Sequence, residues 1–407
     1  MDSLRRITRR INVNFTFVQC ACWMVTCTII GFVTVYLTDK GLTDAQIGIV
    51  IAMASVLAMV MQAALSDFSD KHPSVPLKRI TAAVILIIAV GAALMAWIPP
   101  SVAFLAVTYT LFQACSLSLN GFMNALMMQE KDIGLPVNFG AARGAGSASC
   151  ALIAFAVGHL IERFTSDVMM PLTIGLSACA IVAVLLMPRP DKLREKYDLK
   201  PLGKVAEKKS IAAILRGNPV LVLALVTTVL ACLTHSLMTS FLIRSIESVG
   251  GSSADLGTCS LLTSALEMPT MLLGTRLLKR FHAGKLLVVS YLGFALKSLA
   301  LALAPSVAFI LASSVLSLVA MGLYGVASVY FVNSIVKEDE IVRGQSLLSL
   351  CGTSGLAAVL GALLGGMLME ALGISALFFI CAGLSLLAMG LGIYMNRLYK
   401  RNFAQEA

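Results

Sequence analysis

The sequence predicts an all-α membrane protein of twelve transmembrane helices, arranged as two six-helix bundles. Three observations predict it. Hydrophobic residues make up 58% of the 407 residues and charged residues only 13%, about half the charged share of an ordinary soluble domain. The polar residues are bunched between apolar stretches of about 20 residues, the length that crosses a hydrocarbon core of roughly 30 Å. The longest polar stretch, Arg189 to Gly217, lies near the middle and divides the chain. So little charge cannot cover a water-facing surface. An enzyme of soluble substrates is therefore excluded, and so is a nucleic-acid binder, despite the net charge of +10.

Hydropathy places the first six spans at 14–37, 44–65, 79–98, 101–128, 140–161 and 169–187. The second six fall at 218–243, 255–277, 286–303, 306–332, 347–369 and 374–395. Irregular backbone cannot face lipid, so each span is expected to be a helix. Three segments follow: an N-terminal bundle over 1–188, a basic linker over 189–217 and a C-terminal bundle over 218–407. The apolar run after Phe15 is too long for a cleaved signal peptide and lacks a small-x-small cleavage site, so the first span is expected to remain as a helix.

Lys and Arg set the expected orientation. With the N-terminus inside, one face receives Arg5, Arg6, Arg9 and Arg10, then Lys71, Lys78 and Arg79, then the basic linker and the Arg397–Arg401 tail. That face collects 26 of the 31 basic residues. Both termini are thus expected in the cytoplasm of a cell whose inner membrane the chain spans, and the high charge is read as topology and contact with anionic lipid. The ten cysteines all fall in spans without metal-ligand spacing and read as small packing residues. No metal and no cofactor are expected.

The halves echo each other weakly. Span five opens Asn138-Phe139-Gly140-Ala141-Ala142-Arg143-Gly144-Ala145-Gly146-Ser147, and span eleven follows Arg343 with an equally small-residue helix. Small residues let transmembrane helices approach closely. Two parallel six-helix repeats joined by a basic loop point to the major facilitator fold, whose halves rock about a midplane site. Leu266-Glu267-Met268-Pro269 in span eight and Ala63-Ala64-Leu65-Ser66-Asp67 after span two add to this. With the span-five motif, they resemble the lactose-permease and phenylpropionate-permease branch of the major facilitator superfamily.

Charged residues inside spans are expensive and functional by default. Glu267 is the one carboxylate at mid-span, twelve residues from the outer end, or about 18 Å deep at 1.5 Å per residue. It is expected to take and release a proton or to meet substrate; a permanent structural partnership is the alternative. Lys297 reaches a similar depth in span nine, and an ion pair with Glu267 is expected, either static or broken during transport. His235 in span seven is a cavity residue that can titrate near physiological pH, or a neutral ring bonded to a helix carbonyl.

The resemblance adds roles. Arg143 matches the arginine that hydrogen-bonds the sugar in the lactose permease, unless it snorkels to the nearby membrane surface. The branch's acidic partner is replaced by Asn124, which can bond a polar ligand but cannot pair ionically with Arg143. Asp67, with Lys78 and Arg79 beyond it, is similar to the superfamily's conformational lock. Span ten departs from the branch, because 306–332 holds no ionisable residue and any proton coupling falls to Glu267.

The resemblance implies a monomeric secondary active transporter, not an enzyme. It would move a small polar or anionic organic solute (a sugar, nucleoside or carboxylate), with proton symport as the expected mode. Export of sugars or drugs is the alternative, although the proline-rich span-five signature of drug exporters is missing. A sensor or membrane-embedded transferase would need an output domain or a catalytic motif that the sequence lacks.

Overall fold

The computed structural model describes residues 2–72, 75–98, 101–132, 138–189, 193, 195, 215–337, 340–353 and 355–403. Most of the expected 189–217 linker lies outside the described residues. The first half contains α1 (Asp2–Gly31), α2 (Val33–Asp39), α3 (Asp44–Lys71), α4 (Leu77–Trp97), α5 (Val102–Asp132), α6 (Phe139–Phe164) and α7 (Met169–Leu185). The second half contains α8 (Pro219–Ser248), α9 (Ser253–Arg280), α10 (Ala283–Ala302), α11 (Val307–Ser313), α12 (Leu323–Ile335), α13 (Ile341–Cys351) and α14 (Leu356–Phe403). No strand occurs among the described residues.

Ten stretches of the described residues are long and apolar enough to cross a membrane. The expected twelve differ from these at two places. Arg343–Arg401 is one stretch of the ten, although Gly373 interrupts α14 at φ 79° and ψ 173°. Ser253–Arg280 is not among the ten; Asp255, Glu267, Arg276, Lys279 and Arg280 lower its apolar character. Three expected spans are also not continuous. Span one is broken at Phe32, between α1 and α2. Span ten carries a π-helical segment, Leu318–Gly322, between α11 and α12. Span eleven begins earlier than expected, as α13, and is broken at Gly352 and Gly355 before α14 starts.

The chain divides into two compact units, Met1–Leu42 with Met53–Val205, and Thr43–Ala52 with Ala206–Ala407. In the first unit, α1 packs on α6 and α7, and α4 packs on α5 and α7. Small residues bring α3 to α5 as well: Ala54 and Ala58 of α3 meet Ala114 of α5, all at most 5% exposed. The Tyr109 hydroxyl donates to the Ile29 carbonyl at 2.8 Å, tying α5 to α1. Lys78 donates to the Leu185 carbonyl at 2.9 Å and so closes the end of α7, where helix carbonyls lack partners.

In the second unit, α14 packs against α8 and α10. Asn396 of α14 donates to the Gly284 carbonyl at 2.7 Å, at the start of α10. His282 caps that start, its Nδ1 accepting from the Gly284 N–H at 3.1 Å. Burial first, then the charges of Lys285 and Lys400, hold the His282 ring below the usual imidazole value. It therefore stays the neutral acceptor that the cap requires.

The first turns of α3 belong to this second unit and are held by charge. Arg244 of α8 donates through Nε and Nη2 to Asp44 Oδ1, at 2.9 and 2.8 Å, and through Nη1 to Glu247 at 3.0 Å. The Glu370 carboxylate accepts from the Ala45 N–H at 3.1 Å, where the positive end of the helix dipole favours an anion. The Arg244 and Asp44 side chains are only 18% and 17% exposed, so removing Arg244 takes the cation away from a largely buried Asp44 carboxylate.

Two outcomes follow for stability in detergent. Arg244→Leu should cost about 1–3 kcal/mol in thermal unfolding, the penalty of an unpaired buried group. The Asp44→Leu/Arg244→Leu double variant should then show a coupling of about 0.5–3 kcal/mol; strict additivity would mean that the pair contributes nothing. Gly373→Ala should cost about 1–3 kcal/mol, because that φ,ψ region is essentially closed to residues with a Cβ.

Candidate functional site

In the first unit the site is built on the N-terminal turns of α6. Asn138 caps the helix, its Oδ1 accepting from the Ala141 N–H at 3.1 Å. Five residues on, the Arg143 guanidinium lies over the Trp23 ring of α1, 4.1 Å from its centre. Arg143 Nη1 donates to Ser147 Oγ at 2.7 Å. Ser147 is one turn further into the span, so the arginine reaches inward and does not snorkel toward the helix start. The Trp23 indole N–H donates in turn to Gln19 Oε1 at 3.1 Å.

Asn124 of α5 lies in the same unit with its Oδ1 buried and without a hydrogen-bond partner. Among the described residues no hydrogen bond joins it to Arg143, as its amide character would allow. Gln113, about three turns earlier on the same helix and 1% exposed, likewise has an unpartnered Oε1. Unmet acceptors buried in a membrane span are costly, and here they gather on α5.

In the second unit Glu267 lies half-buried on α9, two residues before Pro269. A proline inside a helix removes one N–H and leaves the carbonyl four residues back without its usual donor. Next to it, Thr270 Oγ1 donates across to the Leu318 carbonyl at 3.1 Å, in the π-helical segment. Gly322 closes this segment against α9. A Cβ there would lie 3.0 Å from Thr270 Cβ and 3.5 Å from the Glu267 carbonyl oxygen, so the two helices meet with almost no room between them.

Lys297 of α10 donates to Ser317 Oγ at 2.6 Å, at the edge of the same segment. Glu267, His235 and Cys259 stand within electrostatic reach of its ammonium. The expected Glu267–Lys297 contact pair is not formed, since no ion pair within 4.0 Å joins them. The ammonium is held instead by Ser317, the residue just before the π segment. His235 of α8 sets its ring edge-on to Phe294, with centres 6.1 Å apart. No hydrogen bond to that ring occurs among the described residues. His72 and His159, by contrast, each meet the carbonyl four residues back.

Asp67 and Arg79, the residues of the expected lock, lie near the end of α3 and at the start of α4. Asp67 pairs with Lys71 one turn along its own helix, at 2.6 Å, while Arg79 is exposed. An i,i+4 partner requires no loop to be ordered, and it takes the carboxylate. The residues that sequence reasoning missed are Gln19, Trp23, Ser147, Thr270 and Ser317. For the first two a signal existed: an amide and an indole four apart in span one share a helix face.

The chain matches the model of the MFS_1 like family over residues 17–380. It is similar to a maltose permease of Geobacillus stearothermophilus, with 26% identity over 353 residues, which cover 85% of this chain and 84% of the permease. Among solved structures it is similar to the nucleoside transporter NupG, with a TM-score of 0.74 and 17% identity over 95% of this chain and 98% of that one. A bacterial homolog of the human lysosomal transporter Spinster, inward-facing and unoccupied, gives a TM-score of 0.73 and 12% identity over 97% and 98%. These two likenesses concern the fold, whereas the family match spans most of the sequence. The all-helical architecture, its interrupted polar spans and that match together establish that the chain belongs to the MFS_1-like family of major facilitator transporters.

Proposed function

We propose that the protein is a proton-coupled symporter that carries a small hydroxylated solute, a sugar or a nucleoside, across the cell membrane. One observation carries the reading. Glu267 is a half-buried carboxyl in the middle of α9, and among the described residues no cation forms an ion pair with it. A group placed so can alternate between charged and neutral forms as its surroundings change. Lys297, engaged by Ser317, supplies a positive charge nearby without quenching it.

The solute class is supported by chemistry in both units and by the likenesses. Arg143, Asn124, His235 and Lys297 offer donors and acceptors suited to hydroxyls and ring carbonyls. The maltose permease and the nucleoside transporter are proteins whose names state such solutes. In this reading the two six-helix halves, 1–188 and 218–407, are joined by the basic 189–217 linker and work as a monomer. Both termini face the cytoplasm, and Asp67 and Arg79 act in gating, away from the solute.

The test is a solute-induced pH change in energy-depleted cells that express the protein. The panel holds maltose, uridine and short-chain or aromatic carboxylates, with Glu267→Gln beside the wild type. The expected result is alkalinisation of the medium by a sugar or nucleoside, abolished in the variant. Labelled uptake without any pH response would sink proton coupling, and a response confined to carboxylates would sink the solute class. A second outcome concerns Lys297. Ser317→Ala should lower thermal stability by about 1–3 kcal/mol, by leaving a buried ammonium short of an acceptor, and Lys297→Met added to it should recover most of the loss.

A further inference from the structure

Gln19 and Trp23 sit one turn apart on α1 and face α6. Their geometry is constrained on three sides. The indole N–H is fixed on Gln19 Oε1 at 3.1 Å. The ring is covered by the Arg143 guanidinium at 4.1 Å. Its edge passes Gly146 so closely that a Cβ at that position would lie 2.8 Å from Trp23 Cδ1 and 3.5 Å from Gln19 Cβ. Gly146 is therefore the residue that lets the indole pass between the two helices.

Gln19 itself is 1% exposed, and its Nε2 has no hydrogen-bond partner. Burying an unpaired amide donor is unfavourable. The amide's one bond is spent on holding the indole in a fixed orientation. Arg143 then has one face on the ring and Nη1 on Ser147. Of the five donors in a guanidinium plane, Ser147 takes one among the described residues.

We propose that Trp23 is a positioning residue for Arg143: it clamps one face of the guanidinium, with Gln19 locking the indole, so that the free in-plane N–H groups are presented edge-on to the solute. This rests on the reading that Arg143 touches the solute. A rigid planar fork of this kind suits a ligand with two acceptor oxygens side by side. A vicinal sugar diol offers them, and so does the carbonyl edge of a nucleobase.

The full-length protein in proteoliposomes tests this, with labelled maltose and labelled uridine in separate arms to distinguish the two sources. Trp23→Leu should raise KM by about 3- to 30-fold for the solute carried, the span of a cation–π contact from exposed to desolvated, with kcat within about twofold. Trp23→Phe keeps a ring face and should recover most of that loss. A fall in kcat at constant KM, or a Phe variant as defective as Leu, would overturn the clamp.

A spectroscopic readout needs no solute. The chain has two tryptophans, Trp23 and Trp97, and Trp97 is 78% exposed, so Trp97→Phe leaves Trp23 as the sole emitter. Arg143→Gln in that background should shift or brighten the emission; an unchanged spectrum would overturn the stack. If emission shifts while Arg143→Gln leaves KM for both solutes unaltered, the stack is real but holds no solute-binding arginine. The reading of Arg143 then fails, and the proposal with it.

Discussion

A backbone N–H or C=O inside a bilayer has no water to turn to, and this constraint governs the rest of the structure. Regular helices satisfy it without help. Each departure from the regular helix needs a replacement partner, and the departures in this chain are concentrated in the second unit. Pro269 removes a donor from α9, the Leu318–Gly322 segment adds a residue to the turn, and Gly373 breaks α14. Thr270 answers the second of these by donating to the Leu318 carbonyl. Such irregular backbone is tolerated in membranes where it is buried in protein or lines a cavity. Glu267 and Lys297 stand beside it.

The first unit handles polarity differently. Apart from the break at Phe32 between α1 and α2, its polar groups are side chains placed against one another: Gln19 on Trp23, Trp23 on Arg143, Arg143 on Ser147. Small residues make this possible, because Gly146 brings α1 and α6 close enough for an indole to serve as a platform. The cost shows in the unmet atoms of Gln19, Gln113 and Asn124. Polar networks in a low-dielectric interior are strong where complete and expensive where incomplete.

Much of the fold was legible in the sequence, because length and apolarity alone decide what crosses a bilayer. Helix ends were less legible. α3 runs to Lys71 and α5 to Asp132, past the apolar stretch, since a helix has no reason to stop where the hydrocarbon does. Glu267, Lys297 and Arg143 announced themselves as charges in apolar surroundings, but their partners did not. Ser317 is an ordinary residue in an ordinary-looking span, and Leu-Val-Ala-Met-Gly carries no mark of a π turn. Trp23 read as one more apolar residue in span one; Gln19, four positions earlier, was the available clue. Asp67 meets Lys71 one turn along its own helix, a neighbour that the i,i+4 spacing already offers.

The π segment also changes how span ten is to be counted. An α-helix turns about 100° per residue, and one extra residue in a turn rotates everything beyond it by that amount. Ser313, Ser314 and Ser317 therefore follow one angular register, and Tyr324, Ala327 and Phe331 another. Both sets are buried, and a plain helical wheel over 306–332 would draw them within an arc of about 140°, on one face. The π segment turns the serines and the aromatic rings apart, toward different neighbours, where a plain helix of the same sequence would present both to the same ones.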